Sequence, residues 1–290
     1  MIQFEWHRPR LGYMWVMRGL DGELTEVSAG MNDPTQGDYV LMPRQDSPLL
    51  RTEPLAGHTA VFREFSELTT KMADIVRFAN TFGNLGVQFD VLGRLGDGEP
   101  PEPPAEIDGD AQREAWSRVT APREYRDADT LARWVSEIRQ MRSQVAMWDN
   151  VRRGGGSELD KKELLAAINT GLHETRVGAA LAPTKKKGEL AVHLVPPNLL
   201  GAMWAQFAWA VAGDKEVRRC ATCGKWFVLD PDTARTSRLY CTEACRSRQY
   251  RRKKTEAREL AASGESVAAI AARLESDVAT VQGWLAAKPS

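Results

Sequence analysis

Apolar positions along this chain recur with two different periods, and the periods sort it into elements. Leu11 to Leu20 (LGYMWVMRGL) and Gly37 to Pro43 (GDYVLMP) are short apolar runs that read as strands. Val61 to Ala79 carries Phe62, Phe65, Leu68, Met72, Ile75, Val76 and Ala79 at helical spacing, which predicts a helix there. A longer stripe of Leu131, Trp134, Val135, Ile138, Met141, Val145 and Trp148 predicts a helix from about Ala128 to Arg152. The stripe reads as core and not as a cofactor box. Gly154-Gly155-Gly156-Ser157 ends this helix, and Glu158 to Leu172 predicts another amphipathic one. Thr175 to Leu181 and Glu189 to Val195 flank Pro183-Thr184-Lys185-Lys186-Lys187-Gly188 as a predicted hairpin. Leu199 to Ala212 is almost wholly apolar, but it carries Gln206 and its length falls short of the roughly 20 residues that cross a bilayer. It predicts a buried helix and no membrane anchor.

Further on, Lys225 to Leu229 reads as a strand, Asp230-Pro231-Asp232 as a turn and Arg238-Leu239-Tyr240 as the returning strand. Thr242 has the character of an N-cap, with Glu243 in a first turn that favours negative charge, so a helix is expected to start there and run on through the basic residues. From Glu256 three short helical patterns are separated by Ser263-Gly264-Glu265 and Glu275-Ser276-Asp277. Leu260, Val267, Ile270, Leu274, Val278, Val281, Trp284 and Leu285 are placed to share a core. Gly96 to Asp110 holds four prolines, six acids and no base, the composition of an extended linker or loop. The expected class is therefore α+β, in five parts: an N-terminal α+β region (1–95), the acidic linker (96–110), a mainly helical region with a β-hairpin (111–214), a cysteine finger with a basic helix (215–254) and a helical tail (255–290).

Charge changes the picture at one place. The chain has 39 basic and 39 acidic side chains, yet residues 215–254 hold twelve Lys/Arg against four Asp/Glu. The other 250 residues hold 27 against 35. Clustered cations beside an acidic body are what a phosphate-binding segment looks like, because they release counterions from a nucleic-acid backbone. A solvated basic helix is the plainer alternative.

The cysteines favour the first. All four in the chain, Cys220, Cys223, Cys241 and Cys245, fall within 26 residues as C-x2-C, seventeen intervening residues and C-x3-C. Structural zinc takes four soft ligands in a tetrahedron, and cysteines two or three residues apart can face one ion. Disulfides are the alternative. The start MIQFEWHRPRLG has no signal-like apolar run, so the chain is expected to be cytoplasmic, where thiols stay reduced. One structural Zn2+ on these four thiols would staple the helix start to the hairpin. The cations Arg235, Arg238, Arg246, Arg248, Arg251, Arg252, Lys253 and Lys254 would then face phosphates in a fixed order.

The knuckle, hairpin and helix resemble a treble-clef zinc finger, which implies a structural and not a catalytic metal. The tail resembles a helix-turn-helix, which implies that the last helix enters a major groove with Thr280 and Gln282 as base readers and Ser276 as its N-cap. Its five acids, Glu256, Glu259, Glu265, Glu275 and Asp277, also fit a packing or dimerising unit. Arg218 to Lys254, and more loosely RFANTFGNLG and the apolar helix before the finger, are similar to bacterial stress-related transcription regulators with an ABATE-like N-terminal region and a CGNR-type zinc finger. Where that family carries Cys-Gly-Asn-Arg, this chain has Cys245-Arg246-Ser247-Arg248. The resemblance implies a DNA-binding regulator whose body senses a ligand or mediates assembly.

Signals for catalysis are sparse. The histidines are His7, His58, His173 and His193, and His173-Glu174-Thr175-Arg176-Val177 lacks the second histidine of a zinc-protease helix. The glycines at 154–156 are not followed by the Lys-Ser/Thr of a phosphate loop. An enzyme is not expected. The expected partner is nucleic acid, double-stranded DNA first. The rival readings are a binder of RNA or single strands that stacks bases on Tyr250 or Trp226, and an interaction module that holds a protein partner or a second copy.

Overall fold

A computed structural model describes residues 2, 4, 6–19, 24–27, 38–44, 47–53, 55, 58–86, 129–183, 189–229 and 237–286. The chain forms two compact units, Met1–Lys215 and Glu216–Ser290, and mixes helix with strand. The acidic stretch Gly96–Asp110, the turn Asp230–Asp232 and Arg235 lie outside the described residues.

In chain order the first unit comprises β1 (Trp6–Pro9), β2 (Tyr13–Arg18), β3 (Leu24–Val27), β4 (Asp38–Pro43), β5 (Leu49–Thr52), α1 (Val61–Ser66), α2 (Met72–Phe82), β6 (Asp129–Thr130), α3 (Leu131–Arg152), α4 (Glu158–Glu174), β7 (Gly178–Pro183), β8 (Leu190–Val195) and α5 (Leu199–Ala212). Strands β3, β2, β4 and β6 form one antiparallel sheet in that order, while β1 pairs with β5 and β7 with β8. Helix α1 packs on α3 and α5, α3 on α4, and α4 on α5. Trp134, Trp204, Phe62, Phe65 and Phe207 are buried among these helices. The stripe read along α3 is buried except at Val135, which is half-buried.

Polar side chains are spent on joining elements. The motif RFANTFGNLG becomes a junction: Asn80 Oδ1 accepts the Tyr13 N–H at 2.7 Å, Arg8 donates to the carbonyls of Asn80 and Thr81, and the Tyr13 hydroxyl donates to Asn84 at 3.2 Å. Leu85 N–H donates to Asp129 Oδ2 at 2.5 Å, and the Leu85 carbonyl accepts from Leu200 N–H at 3.0 Å. Asp129 is fully buried and pairs with Arg133 at 3.2 Å. Burial pushes its carboxyl up to about 6, against the pull of the Arg133 guanidinium and the amides of Leu85 and Gly86. Gln206, the polar residue of the apolar helix, accepts from Val61 N–H at 2.9 Å and donates to the His58 carbonyl at 2.8 Å, so it caps α1 from inside the core.

The run Val61 to Ala79 is two helices, not one. Ser66 Oγ turns back to the Arg63 carbonyl, and the Thr69 hydroxyl accepts Lys71 N–H at 3.3 Å. Arg142 takes the carbonyls of Ser66 and Leu68 that the break leaves over. The apolar period survives the break because both helices face the same core. The hairpin also starts later than expected, since Thr175 caps α4 and Arg176 takes a left-handed φ of 54°.

The second unit comprises β9 (Glu216–Arg219), β10 (Trp226–Leu229), α6 (Glu243–Ala262), α7 (Val267–Arg273) and α8 (Val278–Ala286). The partner of β10 is β9, upstream of the first cysteine pair, with Trp226 opposite Arg219. Arg238-Leu239-Tyr240, expected as the returning strand, has no strand assignment and is tied in by single bonds. The basic helix and the first helix of the tail are one uninterrupted 20-residue element, α6. No described helix is long and apolar enough to cross a membrane.

Candidate metal centre and cationic helix

Two local structures bring the thiols together. The first is the turn between β9 and β10, closed by Cys220 N–H to the Lys225 carbonyl at 2.8 Å and Gly224 N–H to the Cys220 carbonyl at 2.9 Å. Gly224 has φ of 72°, and a Cβ there would meet nothing within 4 Å, so glycine is needed for its backbone angle and not for space. The second is the start of α6, where the Thr242 hydroxyl accepts Cys245 N–H at 3.2 Å as N-cap. Ala221 N–H to the Leu239 carbonyl at 3.0 Å and the Thr222 hydroxyl to the Cys245 carbonyl at 3.1 Å tie the two together.

All four Sγ atoms lie within 4.8 Å of one another. Cys223 to Cys241 and Cys241 to Cys245 are both 3.6 Å apart, well beyond the roughly 2.05 Å of a disulfide bond. Zn–S bonds of about 2.3 Å in a tetrahedron place the sulfurs about 3.8 Å apart, so the cluster has the size and the donor chemistry of a four-thiolate metal site. Cys220 and Cys245 are buried with Phe227 and Leu229, while Cys223 and Cys241 are partly exposed. Burial raises the Cys220 thiol, but the amides of Cys241, Cys223 and Thr222 and the Cys223 thiol outweigh it and bring it down to about 6. Burial and then the neighbouring thiols of Cys245, Cys223 and Cys220 push Cys241 up to about 12, and burial also raises Cys223. Without a cation, the cluster holds one charge easily and resists more. A divalent ion removes that resistance.

The cationic residues meet different fates. Arg238 lies over the Phe227 ring at 5.4 Å and donates to the carbonyls of Tyr240 and Cys241, so it braces the second cysteine loop. Arg246 is 3.6 Å from Glu243. Arg248, Arg251 and Arg252 are exposed on α6, and Lys254 is half-buried. Lys253 turns inward, with Nζ donating to the Leu274 carbonyl at 2.5 Å. Trp226 lies against the Arg219 guanidinium at 4.8 Å.

Beyond the finger, α6, α7 and α8 share a core of Ala257, Ile270, Ala271, Leu274, Val281 and Trp284. Val278, expected in that core, is 45 % exposed. The N-cap of α8 is Asp277 and not Ser276: its Oδ1 accepts Thr280 N–H at 2.7 Å, whereas Ser276 Oγ donates back to the Leu274 carbonyl. A carboxylate one residue before Val278 outcompetes a hydroxyl two residues before it. The Thr280 hydroxyl donates to the same Asp277 at 2.7 Å, and Gln282 is exposed. Arg258, which the charge pattern alone did not single out, donates to the Trp284 carbonyl at 3.3 Å. No protein-family model, curated protein or solved structure matches this chain.

Proposed function

We propose that residues 216–290 form a zinc-stabilised nucleic-acid-binding module with double-stranded DNA as its partner, and that the protein acts as a DNA-binding regulator. The observation that carries the reading is the convergence of four thiols at the N-terminus of a helix whose next turns expose Arg248, Arg251 and Arg252. Cys220, Cys223, Cys241 and Cys245 are the ligands on this reading. Zinc there is structural: it cross-links the β9–β10 turn to α6 and leaves no open coordination position for chemistry. On this reading the turn, the hairpin and the helix make a treble clef, and α6 to α8 a helix-turn-helix. The protein's own contribution is rigidity, since cations fixed on one helix lose less entropy on meeting phosphates than cations on a loose chain.

The test is one sample and two measurements. Elemental analysis of the reduced, purified protein should return one zinc per chain. Fluorescence anisotropy against random duplex DNA should show affinity that falls steeply with salt. A metal-free folded protein, or a signal that is the same at every salt concentration, would overturn the reading.

A further inference from the structure

We propose that α6, and not α8, is the helix that enters the major groove of duplex DNA, while α7 and α8 act as a buttress that keeps α6 rigid. The inference rests on the nucleic-acid reading above and assigns that reading its contact surface.

The two sides of α6 differ in kind. One side carries buried Cys245 and Ala257, with Gln249, Lys253, Glu256 and Leu260 half-buried between and beyond them. Arg248 neighbours Arg251, three residues on, and Arg252, four residues on; Arg251 faces away from the covered side, Arg252 borders it next to Glu256, and all three are exposed. Among the described residues no carboxylate is within ion-pair distance of these three, and no acid occurs from Arg246 to Thr255. Like charges three and four residues apart destabilise a helix unless an anion joins them. A polyanion is the complementary occupant. From Glu243 to Lys254 the helix is about 18 Å long, enough to lie along a major groove about 12 Å wide with its guanidinium groups against the phosphates that line it. Glu256 and Glu259 come directly after it and set the point beyond which phosphates are repelled.

Helix α8 has the opposite character. It holds no lysine or arginine from Val278 to Ala286, and its N-terminus, the end that reads bases in helix-turn-helix docking, is flanked by Glu275 and capped by the Asp277 carboxylate. Thr280 spends both its N–H and its hydroxyl on that carboxylate. What the tail does supply is support. Lys253 Nζ caps the carbonyl end of α7 at Leu274 (2.5 Å) and Glu275 (3.4 Å), Arg258 holds the Trp284 carbonyl, and Ala257 is fully buried in the tail core. An arginine-rich segment of this length is too short to be a stable helix alone. The thiol cluster holds its start and the tail holds its end.

The experiment uses the full-length, zinc-loaded protein with labelled random duplex, single-stranded DNA and RNA across a salt series. Arg248→Ala, Arg251→Ala and Arg252→Ala should each weaken duplex binding about tenfold and reduce the salt slope by about 0.9. Thr280→Ala and Gln282→Ala should stay within about twofold. Ile270→Ala, which loosens the tail core, should speed amide hydrogen exchange in residues 246–254 while metal content is unchanged; unchanged exchange there would remove the buttress. If the α8 variants lose binding and the arginine variants keep it, the assignment to α6 is wrong although the protein still binds DNA. Preference for unpaired strands overturns the duplex partner. If the wild-type protein binds none of the three, the nucleic-acid reading fails and this inference fails with it.

Discussion

Trp6, Trp15, Trp134 and Trp204 are each almost fully buried in the first unit, where large aromatic side chains and internal polar joints share the work. In the second unit the apolar material is thin: one cluster is built from two cysteines with Phe227 and Leu229, the other from six residues of which two are alanine. The second unit spans 75 residues divided between those clusters, a size at which small scaffolds add metals or disulfides to what a core alone provides. The contrast separates two modes of stabilisation. The body is held by packing and by how its buried polar groups are paired, whereas on the proposed reading the C-terminal unit depends on a metal held by four sulfur atoms.

The largest expected break in that contrast is Cys245→Ser. The variant should lose its metal and the helical start of α6, since zinc binding in small fingers is worth about 10–16 kcal/mol at neutral pH, while the unfolding transition of the body is unmoved. Elemental analysis with calorimetry on one sample checks it, and a shift of the body transition would count against separate modes of stabilisation. The next effect belongs to the body. The folded Asp129 carboxyl titrates near 6, above the ordinary aspartate value of 3.8, so between those two values the folded state holds a proton that the unfolded chain has released. Its contribution to stability is present below the lower value and is lost as pH rises through the upper one, by at most about 1.4 kcal/mol per pH unit. Urea unfolding across that window should show a shallower decline in Asp129→Asn than in wild type, with metal content unaltered; equal slopes would be the contrary result. The smallest effect is Glu275→Gly. Glu275 sits at φ 46°, and glycine there should stabilise the tail by about 1 kcal/mol, seen as a rise of a few degrees in its melting temperature.

The cysteine spacing was the most legible feature of the chain, because C-x2-C and C-x3-C are local geometries that do not wait for tertiary contacts. The stripe on α3 and the N-cap at Thr242 were legible for the same reason. What escaped had its cause elsewhere in the chain. The partner of β10 is set by a turn at the cysteine knuckle and not by the apolar pattern of Arg238-Leu239-Tyr240, and the break after Ser66 is stabilised by Arg142, 76 residues away. Asp129 gave no local signal at all, since its role is to receive the Leu85 amide from another part of the chain. The expected roles of Thr280 and Gln282 came from motif position, and position cannot tell that the Thr280 hydroxyl is bound to its own N-cap.

One helix passing unbroken from the cysteines to the tail makes α6 a shaft whose angular phase is shared at both ends. Each residue added to an α-helix turns the downstream chain by about 100° and carries it about 1.5 Å further. A single insertion between Arg252 and Thr255 would therefore swing the tail a little over a quarter of the way around the axis, and the arginine face would no longer stand opposite the side that the tail covers. Seven inserted residues, close to two full turns, would return the phase while lengthening the shaft by about 10 Å. Length changes in this helix are thus tolerable in whole turns and not in single steps.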